Sequence, residues 1–281
     1  MYTFRKNAAC DDANEAMILL HAVVAALYAI AAWTRWPRAT EPPTGLARTA
    51  LWFVPVALVL HAIVIAHSIF RDDGLDLSFS NALSLVTGLC ALVAWASGLL
   101  ATLPGVGAVV LPIAAVGSVL PALWANPHRF PYADAPWATA HIAVALVAYA
   151  LFVVAALQAL VLTGIENQLH RGLTTSRTET PPLLTLERYL FRLIVTGFVL
   201  LTLALASGIL FSEQLFGKPV TFTHKNVFSV AGWAVFAVLL VGRWRYGWRG
   251  RSALKWILAG TLLLLLGYLG SKFVVEVLLH R

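Results

Sequence analysis

The sequence predicts an all-α, polytopic membrane protein with about eight transmembrane helices and both termini on the outside. Three observations carry this expectation. Of the 281 residues, 60% are hydrophobic and only 12% charged, about half the roughly 25% charge of a soluble domain. Eight apolar runs reach the ~17–25 residues that a helix needs to cross a bilayer. Lys and Arg are shared unevenly between the two alternating sets of loops that join those runs. The mean hydropathy of +0.80 agrees.

The first run, 16–33, follows Arg5 and Lys6 and ends in Ala29-Ile30-Ala31, which has the look of a signal-cleavage site. Asp11, Asp12 and Glu15 abut it, however, and Arg35 and Arg38 behind it resist export, so it is expected to remain as the first helix. The second run, 50–69, carries Pro55, and the fourth, 105–124, carries Pro112 and Pro121. Such kinks are tolerated in membranes where neighbours re-satisfy the freed carbonyl. Leu103-Pro104-Gly105 should turn the third run, 79–101, tightly into the fourth. The remaining runs are 137–163, 189–211, 226–242 and 253–277. Gln158, alone among apolar residues in the fifth, is expected to hydrogen-bond a neighbouring helix.

No stretch is left over for a soluble domain, so 1–281 reads as a single integral-membrane domain. No internal repeat is evident, and an inverted-repeat transporter, a third reading, has little support.

Orientation follows from charge. Loops on one side carry Arg35, Arg38, Arg48, Arg171, Arg177, Arg188, Arg243, Arg245, Arg249 and Arg251, ten residues against seven on the other. The positive-inside rule then places both termini outside a bacterial inner membrane. The net charge of +7 is thereby a membrane feature, with no nucleic acid implied. In GRWRYGWRGR (242–251), arginines interleave with Trp244, Tyr246 and Trp248, a composition that could stack on bases. Between two spans the same residues belong at headgroup level, so the partner is the lipid bilayer.

Several chemistries are excluded. Cys10 and Cys90 form no CxxC pair. No phosphate-binding loop, nucleophile elbow or HExxH helix occurs, and no enzyme is expected. Asp72, Asp73 and Asp76 read as a solvated turn, and Lys272 with Glu276 as an interfacial pair.

The histidines are more informative. On this topology His21, His67, His128, His141, His224 and His280 gather at the outer face. His61 lies near mid-membrane, where an ionisable group should face the bundle interior, and His170 faces the cytoplasm. Neutral imidazoles ligate haem iron in axial pairs, and helix ends at an apolar rim can supply them. His141 with His224 is one candidate pair of haem ligands, and His61 with His67 the other. The plain alternative for each is a solvated helix-end residue, or, for His61, a hydrogen bond to a neighbouring helix.

Segments 141–160, 181–191, 224–251 and 268–279, and within them the His141-x7-Tyr149-x2-Phe152 pattern and the GWRGR element, resemble one family. The sequence is similar to the YpjD-type inner-membrane proteins, a branch of the cytochrome c assembly superfamily that includes CcsA, CcmC, CcmF and the HemX-type proteins. The resemblance covers most of the chain and is firmest over 137–279. It implies an eight-helix membrane fold and haem (haem b here) handled at the outer face, with His141 the best-matched ligand and other cytochrome assembly proteins as partners. The tryptophan-rich WWD element of the CcsA-type carriers has no counterpart in GKPVTFTHKNVFSVAGW (217–233). A second reading therefore stands beside the first: a HemX-like regulatory or scaffold membrane protein without haem.

Overall fold

Among the residues described by the computed structural model (2–35, 45–71, 74–100, 105–124, 129–130, 136–170, 183–210 and 224–274), eight helices are long and apolar enough to cross a membrane. They are α1 (Tyr2–Arg35), α2 (Gly45–Ile69), α3 (Phe79–Leu100), α4 (Val106–Leu123), α5 (Pro136–His170), α6 (Leu183–Leu210), α7 (His224–Tyr246) and α8 (Gly250–Leu265). A π-helical turn, Leu266–Gly270, prolongs α8. All eight expected spans are present, and Pro55, Pro112 and Pro121 lie inside helices as anticipated. The tight turn at Leu103-Pro104, the side chains of Asp72, Asp73, Glu276, His128 and His280, and Arg171 and Arg177 lie outside the described residues.

Strands were not foreseen. β1 (Phe70–Arg71) and β2 (Gly74–Asp76) pair antiparallel, with Phe70 opposite Leu75 and Arg71 opposite Gly74. The strand order is β1-β2-β3, β3 being Arg129–Phe130. Asp76, expected in a solvated turn, is instead buried and accepts a hydrogen bond from the Ser78 backbone N–H at 3.1 Å. An Asp two residues ahead of a backbone donor forms this local turn readily.

By packing, the chain forms two compact units, residues 1–95 with 107–129, and residues 96–106 with 130–281. In the first, α1 buries His21, Val24, Tyr28 and Ala31, and α2 buries Val54, Ala57, His61 and Val64. Both sets alternate spacings of three and four, the seam along which two helices pack side by side. A Cβ on Gly117 would lie 2.0 Å from Thr87 Oγ1, so α3 and α4 approach where only glycine fits.

The second unit is built around α5, whose Phe152 is fully buried and stacks on Phe236 of α7 at 3.9 Å between ring centroids. Lipid tails are as apolar as leucine, so close packing at small residues, more than hydrophobicity, holds such helices together. Accordingly, a Cβ on Gly232 would meet Leu264, and one on Gly260 would meet Phe236, each at 2.7 Å. Gln158 Nε2 donates to the Leu186 carbonyl at 3.4 Å, joining α5 to α6 as expected of a lone amide there.

The turn between α7 and α8 explains the GWRGR element. Gly247 adopts φ +66°, and its N–H reaches the Arg243 carbonyl at 3.1 Å, the single-bond left-handed helix stop. Trp248 then folds back over Gly242, where a Cβ would lie 2.4 Å from its ring, and stacks on Trp256 at 5.4 Å. Trp248 is therefore a packed wedge. Trp244 and Tyr246, 84% and 73% exposed, keep the headgroup role expected of all three rings.

Candidate functional site

In the second unit, α5 and α7 begin at the same end, and their first turns carry His141 and His224. His141 is half-buried, and its Nδ1 lies 2.8 Å from Ser207 Oγ on α6. The Ser207 hydroxyl already donates to the Ala204 carbonyl at 3.0 Å. Oγ must therefore accept from His141, which makes Nδ1 the protonated nitrogen and places the lone pair on Nε2. Beside the ring sits Gly208, where a Cβ would come within 3.2 Å of Cε1 and 3.9 Å of Nε2. Glycine there keeps that flank of the imidazole clear.

Cations and aromatic rings surround this histidine. The Lys225 ammonium is close enough to act electrostatically on His141, and Lys272 on Lys225. Lys225 Nζ lies 5.3 Å from the centroid of Tyr268, within cation–π range. Tyr268 is 5.8 Å from Tyr149, which shares a hydrogen bond with Ser229. Tyr268 stands on the π-helical turn, a local widening of the helix that often accompanies functional sites. His141, Tyr149 and Phe152 are spaced eight and three residues apart, which turns all three toward one side of α5. The pattern noted in the sequence is thus a single face, with packing at its inner end and polar groups at its outer end.

The other candidates lie elsewhere. His224 is exposed, next to Lys225 in the first turn of α7. His61 belongs to the first unit and is 1% exposed. Its Nε2 meets Ser84 Oγ at 3.0 Å and its Nδ1 meets Tyr28 Oη at 3.3 Å, so both ring nitrogens are engaged. His67, six residues on, is exposed. Six residues rotate about 120° short of two full turns, so these two histidines look away from each other and the structure does not bring them together. His21 is buried rather than interfacial, with Nδ1 on the Ser118 carbonyl. Among the described residues, no group of three or more His, Cys, Asp or Glu could cage a metal ion.

Sequence reasoning passed over Ser207, Tyr28, Ser84 and Glu187. Ser207-Gly208 was the legible sign, a small polar pair near the outer end of the sixth run, at the depth where His141 enters.

A family model described as cytochrome C assembly protein matches residues 51–279. The chain belongs to that family. Inner membrane protein YpjD of Escherichia coli (strain K12) is 34% identical over 240 residues, covering 83% of this chain and 89% of YpjD. Cytochrome c biogenesis protein CcsA of Prochlorococcus marinus (strain MIT 9515) is 27% identical over 188 residues, 58% of this chain and 59% of that protein. No solved structure matches. Within the cytochrome c assembly family, then, this chain is a polytopic helical membrane protein whose His141 sits inside the matched region.

Proposed function

We propose that this multi-pass protein of the inner membrane binds or hands on haem in cytochrome c assembly, with His141 as an axial ligand and no catalytic turnover of its own. One observation carries the reading: Ser207 fixes the His141 ring with Nδ1 as donor, leaving Nε2 as the basic nitrogen. Ligating histidines are almost always oriented in this way by a hydrogen bond on the other nitrogen. Gly208 keeps room beside the ring, and Lys225 supplies a positive charge near it, which suits an anionic porphyrin carboxylate. Bound there, haem supplies an iron that accepts imidazole nitrogen. With only two cysteines and no CxxC, attachment is non-covalent, as for haem b. His224, at the start of α7 on the same end of the unit, is the proposed second ligand. The family match and the names of the YpjD and CcsA relatives support the setting.

The test is an optical spectrum of detergent-purified protein, oxidised and then dithionite-reduced, for wild type, His141→Ala and His224→Ala. A Soret band with sharp reduced α and β bands, lost in both variants, supports the pair. A band lost only in His141→Ala retains the first ligand and removes the second. Absence of any band after haem is added back favours the regulatory or scaffold role.

A further inference from the structure

The opposite end of the second unit contains a feature that the haem reading does not use. A cavity of about 220 Å³ opens between α5, α6 and α8. Its floor is apolar, formed by Ala159, Leu162, Leu190, Phe191, Leu254 and Ile257, and its polar rim holds Glu166, Glu187 and Arg249. Glu187 is already neutralised, by Arg243 at 2.7 Å and by Arg249 Nε at 3.9 Å. Arg251 donates to Asn167 Oδ1 at 2.9 Å beside the same rim. Around this end, Arg243, Arg245, Arg249, Arg251 and Lys255 outnumber the carboxylates of Glu166 and Glu187.

Depth decides what could enter. The exposed Trp244 and Tyr246 place this end at headgroup level, on the side that the charge count assigns to the cytoplasm. A dry floor beneath a cationic rim at that depth matches a molecule with an anionic head and a hydrocarbon tail. A cationic ligand would meet the excess of guanidinium groups, and a free anion would leave the floor unfilled.

We propose that this cavity is a binding site for an anionic phospholipid of the cytoplasmic leaflet. Part of an acyl chain occupies the floor, and the phosphate pairs with Arg249, whose side chain is 60% exposed and only loosely held by Glu187. Arg245 and Arg251 contribute to the surrounding field.

The proposal is tested on the full chain, delipidated in detergent, by native mass spectrometry and thermal unfolding. The probes are phosphatidylglycerol, phosphatidylcholine and inorganic phosphate. The expected result is one phosphatidylglycerol retained per chain, with a raised Tm that phosphatidylcholine and phosphate do not reproduce. Arg249→Gln should weaken retention by about fivefold, the worth of one basic residue at an anionic surface. Ala253→Phe, which fills the cavity from α8, should abolish it, and Arg249→Lys should restore most of it in a chain of native fold. Equal retention of the two lipids, an equal shift from phosphate alone, or undiminished binding by Arg249→Gln would overturn the assignment.

Discussion

Arg243 donates one hydrogen bond to Glu187 across the α6–α7 interface at 2.7 Å and another to the Trp248 carbonyl at 3.1 Å. Its guanidinium also lies 4.4 Å from the centroid of the Phe191 ring. One side chain thereby links a helix, its neighbour and the turn that follows.

Removing its partner should be costly, because the Glu187 side chain is only 12% exposed and that of Arg243 21%. Glu187→Ala is expected to destabilise the protein by about 3 kcal/mol, the low end for breaking a buried ion pair by one half. Glu187→Gln should cost less, since the amide oxygen can still accept. Unfolding midpoints in detergent would check the order; equal midpoints for wild type and Glu187→Ala would refute the role.

A second prediction separates orientation of His141 from ligation. Ser207→Ala should leave the fold intact and weaken haem binding by about 10–100-fold, the usual effect of losing the bond that orients a metal-bound histidine. His141→Ala should remove binding altogether. Haem titrations of the two variants against wild type would show the difference, and identical behaviour would mean that Ser207 has only a structural role.

Close helix approach makes a third. Gly232→Leu drives a side chain into Leu264, where even a Cβ would lie 2.7 Å away. Overpacking of this kind costs about 1–3 kcal/mol. Phe152→Ala, which empties the stack with Phe236, should cost about 3–5 kcal/mol. If both variants unfolded at the wild-type midpoint, the described α5–α7–α8 core would be wrong.

The buried histidine of the first unit supplies a fourth. Ser84→Ala and Tyr28→Phe each strip one ring nitrogen of His61 of its partner. Each is expected to cost about 1–3 kcal/mol, the penalty for a buried polar group left unmatched. Neither should alter a haem spectrum. A spectral change in Ser84→Ala would reopen His61 as a ligand.

Most of the fold was legible because a membrane span is written in a single variable. Length and apolarity fixed all eight helices, and even Gln158 and His61 could be assigned inward directions from the cost of polarity in hydrocarbon. The site was less legible, since the spacing of one helix says nothing about its partner. His141 stood out, but Ser207 lies 66 residues away in sequence, and only packing brings them together. His61 and His67 looked like a pair because both lay in one run. Rotation about the helix axis, which depth alone does not encode, separates them. The Asp76 turn was misread for a related reason: short strands at a helix end carry too few residues for any periodicity to show.

The π-helical turn at Leu266–Gly270 has a consequence for descent as well as for shape. Such a turn holds one more residue than an α-helical turn, so everything beyond it is displaced by a single position and rotated by about 100° relative to a straight helix. Ancestrally, it is the footprint of an inserted residue that the helix absorbed without breaking. Among relatives that lack the insertion, residues aligned without a gap past Gly267 would be matched to the wrong face. Lys272 would then be compared with a neighbour's lipid-facing position instead of with the one turned toward Lys225.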